Sequence, residues 1–584
     1  MLIQRKIEIM QNILKKQKYS ENQHNVHEKC GLALWSLSVM AASSVILGLI
    51  LWAISWSFGL VGGIREFGSA VRFELPYLIV AYAALLYLMR PTPWRILIAA
   101  LPIIALYLVI DLRFVFMHSV FKLDELLLLP EGLNVSPIWV GIAAWGALIF
   151  WLTAFAKNIK RNPSELAVPL LLLALASAPP VTAYTMPRQF LKIADNSGLG
   201  IIPWSDRLTS AVMGRTTALF LFAATKRKAL EDLAQRPVVD DPDRNPALLI
   251  NSLGTARNIH ILVLESFLDP QRFSALQFRT PPAPPRFDAL RTDMHIARSP
   301  VFGGGTAQVE FEILCGVPAF ELYSPAEFSM FTGASTACLP NLLASAGYRT
   351  IATQSYEPDF FNSEKAYQSM GFQETNFPSL YAEDRKTYLK YDIPDSYIFD
   401  GDLLSQNLLY VEQLLAEGKP FFNYVLGTYG HLPHETDTNR FPPKVDVIGV
   451  KPGSQAYLAI QQFYYRAGAV ADYIYKLREM DPDSLIIVTS DHLPPLDAGP
   501  WTYETLGYSL RDEGEFRQNI WFYFGPNSHN AAWPDHDYEF MDFILDILTE
   551  ERICKLMVCK NREISSPAKL TSSYNHIIAL GAGI

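Results

Sequence analysis

Three scarcities bound what this chain can be. Cysteine is rare, five in 584 residues, and no Cys/His spacing of a structural zinc site is present. Basic charge is not in excess. Lys and Arg number 49 against 58 Asp and Glu, a net charge of −9, so there is no cationic footprint and nucleic acid is excluded as a partner. Charge of either sign is missing from long stretches of the first 190 residues, which read as lipid-facing, whereas the remainder reads as globular. Internal repeats and low-complexity tracts are also absent, which excludes solenoids and arrays.

The uncharged stretches set the domain plan. Gly31 to Ile64 holds no charged residue and spans about 30 Å of hydrocarbon with ease. Gly132 to Ala156 and Leu166 to Met186 are further spans. Leu75 to Met89 and Ile96 to Ile110 are shorter, so Glu74, Arg90 and Arg95 are expected to reach the interface. The reading is an N-terminal α-helical membrane domain of about five spans over 31–190, behind a cytoplasmic tail, 1–30. A cleavable signal peptide does not fit, because the first apolar run begins late and is too long. The tail (Arg5, Lys6, Lys15, Lys16, Lys18, Lys29), the Arg90–Arg95 turn and the Lys157, Lys160, Arg161 loop fall on one side by the positive-inside rule. The loop of Asp124, Glu125 and Glu131 falls on the other. An odd number of spans puts the C-terminal part outside the cytoplasm. Val212 to Thr225, interrupted by Arg215, reads as an interfacial or docking helix. With the polar stretch up to residue 255, including "VVDDPDRNPA", it makes a linker region, 191–255.

From about Arg257 the pattern changes. "IHILVL", "RTIATQ", "FFNYVLGTY", "SLIIVTSD" and "NIWFYFG" read as buried strands, and "CLPNLLASAGY" and "QAYLAIQQFYYRAGAVADYIYKLREM" as helices. Strands alternating with helices indicate an α/β domain with a mainly parallel central sheet over 256–584.

In such sheets functional groups gather at the carboxyl ends of strands. Glu265 ends one strand, and Asp491 with His492 ends another. Thr306 follows Gly303, Gly304 and Gly305 in "FGGGTAQVEFE". Two carboxylates, an imidazole and a hydroxyl make a plausible ligand set for a hard or borderline cation, Mn²⁺ first, with Mg²⁺ or Zn²⁺ as alternatives. Such a cation would activate Thr306 as a nucleophile toward a phosphoryl group. The glycines allow close approach of backbone to phosphate, and a helix opening at Thr306 would favour an anion. Each element alone has a plainer reading. A carboxylate after a strand is a solvated loop residue or an N-cap, and "GGGT" is a turn with Thr as cap. His431, in "GTYGHLPH", reads as a general acid or as a polar loop residue.

Taken together, "LESF" around Glu265, "GGGTAQVEFE" around Thr306, "GTYGHLPH" around His431 and "TSDH" around Asp491 resemble the lipoteichoic acid synthase and membrane phosphoglycerol transferase group of the alkaline phosphatase–sulfatase superfamily. The resemblance covers the whole plan. It implies a sulfatase-like catalytic domain outside the bacterial cytoplasmic membrane, Thr306 as nucleophile, and Glu265, Thr306, Asp491 and His492 as ligands of one divalent metal. It implies that His431 touches the substrate head group. Glu310 matches an acidic position of the motif and is read as a brace for the helix. Sulfatases of the superfamily carry Cys or Ser in a C/S-x-P-x-R pattern. Here Thr306 is followed by Ala307 and Gln308, which points to phosphoryl transfer.

The implied function is a multi-pass enzyme that moves a phosphoglycerol-type head group from a phospholipid, phosphatidylglycerol first, to a surface or periplasmic glycan through phospho-threonine. The alternatives are phosphoethanolamine transfer and hydrolysis by a phosphodiesterase or sulfatase-like enzyme. One departure bears on this choice. The synthases grip phosphoglycerol with an aromatic and an Arg. In "ATQSYEPDFFNSEKAY" Phe361 replaces the aromatic, but Ser363 falls near the position of the Arg. Cys315 and Cys338 flank the segment after the nucleophile helix and would brace it if oxidised. Cys554 and Cys559 would close a small loop.

Overall fold

The computed structural model describes residues 38, 40–54, 64–117, 120–123, 138–201, 206–234, 256–319, 328–358, 360–381, 386–391, 397–434, 436–525, 533–550 and 567–581. The basic tail, the acidic loop of Asp124, Glu125 and Glu131, the polar stretch 235–255 of the linker, and Cys30, Cys554 and Cys559 lie outside them.

In the N-terminal third, apolar sequence folds as helix over Met40–Ile54, Ile64–Leu88, Arg95–Met117, Ile138–Asn158 and Ala167–Thr185. Among the described residues, Arg95–Val115 and Ala167–Thr185 are long and apolar enough to cross a membrane. Five crossings are therefore more than these criteria establish. The apolar parts of two other helices, Met40–Ile54 and Glu74–Leu88, are shorter.

The interface position expected for Glu74 is not what the structure contains. Glu74 is 3% exposed, and its carboxylate accepts from the Thr216 amide and hydroxyl, each at 2.6 Å. Beside it, Arg215 Nε donates to Asp111 Oδ1 at 3.1 Å. Arg215 and Asp111 are both buried, and the guanidinium lies over the Tyr107 ring at 5.6 Å. The interfacial or docking helix expected over Val212 to Thr225 is divided between two helices, Asp206–Met213 and Arg215–Ala234, with the first turns of the second buried. The reason is the same for both placements. An ion among apolar helices is tolerated when a partner ion or hydrogen bond meets it there, and these acids meet Arg215 and Thr216. The Arg215–Ala234 helix also packs on the C-terminal helix Pro567–Gly581, whose Tyr574, Ile577 and Ile578 belong to the core of the α/β domain.

That domain is built on a seven-stranded sheet. Its strands are β1 (Ile259–Leu264), β2 (Met294–Ala297), β3 (Arg349–Gln354), β4 (Glu374–Asn376), β5 (Phe421–Gly427), β6 (Leu485–Ser490) and β7 (Asn519–Phe524). The order is β2-β7-β6-β1-β5-β3-β4. β4, β3, β5, β1 and β6 run parallel, and β7 lies antiparallel to both β6 and β2. The five strands expected from apolar runs are all present. The short β2 and β4 escaped because they are too brief and too polar to show a pattern.

The central strand β1 shows how the layers arise. Alternate side chains point to opposite faces. Ile259, Ile261 and Val263 join the core beneath the Thr306–Cys315 helix, and Leu262 and Leu264 join the core beneath Gln455–Met480. Register then fixes the site. Leu264 pairs with Gly427 of β5 and Ser490 of β6, so the residues that follow these three strands emerge side by side.

The buried Asp111–Arg215 pair gives a testable consequence. Asp111→Leu should destabilise the protein by about 3–5 kcal/mol, since it strands a buried cation. The double variant Asp111→Leu/Arg215→Met should recover much of that loss. Thermal melting of the detergent-solubilised chain reads both, and an unchanged melting temperature for Asp111→Leu would contradict the role assigned to the pair.

Candidate active site

Two strand ends and one helix start meet at a single point. Glu265 follows β1 and Asp491 and His492 follow β6. Thr306 opens the helix Thr306–Cys315. It is the first helical residue and not its cap. The cap is Gly305, at φ 101°, preceded by Gly303 at 76° and Gly304 at 150°. These are left-handed conformations that glycine adopts at little cost, and they turn the chain so that the helix begins facing the sheet edge.

The Thr306 Oγ1 lies 2.9 Å from Glu265 Oε2 and 2.9 Å from Asp491 Oδ2. Ligand atoms of Glu265, Asp491 and His492 all lie within 4.8 Å of one another, and all three residues are buried. His492 Nε2 is 3.2 Å from Asp491 Oδ2 and 3.6 Å from Glu265 Oε1. Its Nδ1 faces the Leu493 carbonyl at 3.2 Å. A carbonyl only accepts, so this contact puts the ring proton on Nδ1 and leaves a lone pair on Nε2 aimed at the acids. Nε2 is buried and has no hydrogen-bond donor.

This donor set fits a divalent cation. Two carboxylates, a lone pair and a hydroxyl oxygen crowd one buried point, and a single hydroxyl proton cannot serve both acids. The electrostatics carry the same message. Burial, and then the Glu265 charge, push the Asp491 carboxyl up to about 7. Burial also acts to raise Glu265, but the His492 and His431 rings and the hydroxyls of Ser266 and Thr306 bring it below its ordinary value.

Several supporting residues were not foreseen. Ser266 takes φ 53°, a rare conformation for a residue with a side chain. In it the Ser266 amide donates to Asp491 Oδ1 at 2.7 Å and its hydroxyl to Glu265 Oε1 at 2.8 Å, which ties the two acids together. Arg466, buried in the Gln455–Met480 helix, donates to the Glu265 carbonyl at 2.8 Å and to Asp400 Oδ2 at 2.6 Å. A lone Arg among Phe463, Ala467 and Val470 was a readable signal, because a cation on a core-facing stripe needs a buried partner. Gly430 is required by close approach, since a Cβ there would stand 1.8 Å from the Glu265 carbonyl oxygen.

His431 lines the same cleft, with Thr306, Glu265, Glu310 and Thr428. Its Nδ1 faces the Leu432 carbonyl at 2.8 Å and the Tyr397 hydroxyl at 3.1 Å, leaving Nε2 for a ligand. Glu310 accepts from the Tyr367 and Tyr424 hydroxyls at 2.6 and 2.8 Å, a brace between helix and sheet. Burial pushes it up to about 7. Phe361 and Ser363 also line the cleft. Cys315 and Cys338 form a disulfide at the far end of the Thr306–Cys315 helix.

The chain belongs to the sulfatase family, whose model matches residues 257–548, half of the chain. A curated relative, the putative cyclic beta-1,2-glucan modification protein of Rhizobium meliloti (strain 1021), is 27% identical over 286 residues, 46% of this chain and 41% of that protein. The match thus spans about two fifths of the relative's length. Solved structures show distant likeness. The lipoteichoic acid synthase LtaP from Listeria monocytogenes is 17% identical, with 55% of this chain and 78% of that chain covered and a TM-score of 0.42. The Streptococcus pyogenes phosphoglycerol transferase GacH, in complex with sn-glycerol-1-phosphate, is 15% identical, with 61% and 94% covered and a TM-score of 0.43.

One buried group near the site makes a pH prediction. Burial, reinforced by the Arg466 charge, lowers His434 to about 3. An unfolded His titrates near 6.5. The unfolded chain therefore binds a proton that the folded chain refuses, and stability falls as pH drops from about 6.5 toward about 3. His434→Asn should remove up to one proton from this acid limb, about 1.4 kcal/mol per pH unit. Denaturant titrations of the two proteins between these pH values measure it, and parallel slopes would contradict the assignment.

Proposed function

We propose that this protein is a membrane-anchored phosphoryl-group transferase with Thr306 as its nucleophile. The observation that carries the reading is the Thr306 hydroxyl, 2.9 Å from two buried carboxylates in a cleft it lines with Glu265, Glu310 and His431. Sulfatase-family membership supports phosphoryl or sulfuryl chemistry at this position. Threonine cannot become the formylglycine that sulfate hydrolysis in this family uses, so a direct ester to Thr306 is the fitting intermediate.

A divalent cation held by Glu265, Thr306, Asp491 and His492, Mn²⁺ by our reading, would lower the hydroxyl pKa and neutralise charge on the phosphoryl oxygens. The chain's own groups do the rest. Glu265 or Asp491 accepts the Thr306 proton. The hydroxyl oxygen attacks phosphorus, and the amides of the first helical turn face the anion. His431, steadied through Nδ1, gives a proton from Nε2 to the leaving alcohol. In the second half the same imidazole takes the proton of an acceptor hydroxyl, which attacks the Thr306 ester.

The apolar helices support a position of this chemistry beside a bilayer. The donor is accordingly a glycerophospholipid, with phosphatidylglycerol and phosphatidylethanolamine as the donors expected from sequence, and diacylglycerol leaves. The acceptor is a glycan, consistent with the printed name of the Rhizobium meliloti relative. The domain plan follows, with about five spans over 31–190 and the catalytic domain, 256–584, outside the cytoplasmic membrane of a bacterium.

Intact-mass analysis of the full chain, incubated with cation and labelled phospholipid, tests this. The wild type should gain one head-group phosphate on Thr306. Thr306→Ala should gain none and lose roughly four orders of magnitude or more in turnover, as removal of a covalent nucleophile does elsewhere, while keeping its fold. Near-normal turnover by Thr306→Ala would end the proposal.

A further inference from the structure

Part of the cleft wall is aromatic. Phe360, Phe361 and Tyr397 line it next to His431. Tyr356 joins the two sides, its ring 4.9 Å from Phe360 at 82° and 5.3 Å from Tyr397. Phe360 and Phe361 stand 4.2 Å apart at 66°. Rings so steeply inclined make a corner. A sugar ring stacks on a flat face, whereas a rounded cation nests in a corner and meets several negative ring faces at once.

The backbone is bent to build this corner. Phe361 takes φ 52° and Asn362 φ 61°, left-handed values that are strained for a bulky residue and tend to persist at functional sites. Asn362 Nδ2 donates to the Phe328 and Phe331 carbonyls at 2.6 and 2.9 Å, and Ser363 Oγ to the Phe360 carbonyl at 2.5 Å. These bonds hold a conformation that both rings need to reach the cleft.

Charge and hydrogen bonding agree. Among the described residues that line the cleft, the acids are Glu265 and Glu310, and none is Lys or Arg. Ser363 stands where an Arg for phosphoglycerol was sought, and its hydroxyl is spent on the Phe360 carbonyl. Gln354 lines the same cleft, is 1% exposed, and keeps an Oε1 with no donor. An acid-flanked aromatic corner with a spare acceptor suits a cation that can donate hydrogen bonds, and it offers little to a neutral diol.

The geometry points to a head group that carries an ammonium, held by Phe360, Phe361 and Tyr397 while its phosphate faces Thr306. This inference rests on the phospho-threonine reading above. The P–O bond to diacylglycerol breaks, the Thr306 Oγ–P bond forms, the Thr306 proton passes to Glu265 or Asp491, and the diacylglycerol oxygen takes its proton from His431. The ammonium itself does not react. Ethanolamine and choline lipids share this chemistry.

The test uses the full chain in mixed micelles with Mn²⁺ and, in separate arms, phosphatidylethanolamine, phosphatidylcholine or phosphatidylglycerol. The mass gained on Thr306 identifies the group directly. At least one ammonium donor should exceed phosphatidylglycerol by about tenfold or more in kcat/KM, the scale of one desolvated cation–π contact. Phe361→Leu should bring that ratio down toward unity through KM, and Gln354→Leu should weaken the ethanolamine donor more than the choline donor. Phosphatidylglycerol as the fastest donor, or a ratio unmoved by Phe361→Leu, would overturn the inference while leaving Thr306 chemistry intact. So would a Phe361→Leu defect confined to transfer onto glycan, which would mark the rings as an acceptor platform. No adduct from any lipid would overturn the phospho-threonine reading itself, and this inference with it.

Discussion

Two carboxylates that cannot escape each other govern this domain. Glu265 and Asp491 are buried at the ends of adjacent parallel strands, and their shared neighbours are a hydroxyl and an imidazole lone pair. Burying like charges without compensation is among the costliest arrangements a protein can hold. Here the surroundings enforce it. Ser266 adopts a strained backbone to tie both acids, Arg466 pins the Glu265 carbonyl, and Gly430 clears the space beside it. So much fixed structure around an unfavourable juxtaposition fits a site that could hold a cation.

The fold was legible where one physical signal dominates. Apolar runs of strand length gave β1, β3, β5, β6 and β7, and a charge at the end of such a run located Glu265, Asp491 and His492. Three glycines before Thr306 announced a left-handed turn, and the turn is there. What escaped depends on distant partners. Nothing local marks Ser266 as strained, because its conformation is set by Asp491, 225 residues away. The placement of Glu74 was misjudged for a related reason. A single acid at the edge of an apolar run reads as an interface residue, and Thr216, 142 residues later, draws it inside.

The same principle links the two halves of the chain. Polar groups inside the helical region are paired with one another, so Arg215 begins a helix that packs on the C-terminal helix of the α/β domain. The apolar helical region and the α/β domain are thus joined by packed helices, a frame that would suit the proposed transfer of a head group from a bilayer. Under the proposed reaction, the acids and hydroxyl of the cleft would address phosphorus, and the aromatic corner that lines the same cleft would address whatever phosphorus carries.

The claim beneath all of this is that Glu265, Asp491, His492 and Thr306 hold a divalent ion. Metal analysis and calorimetric titration of the purified full chain address it most directly. One Mn²⁺ or similar ion per chain, lost on Asp491→Asn or His492→Ala with the fold preserved, is the expected result. A folded wild-type chain that binds no divalent ion under the same conditions would contradict the account.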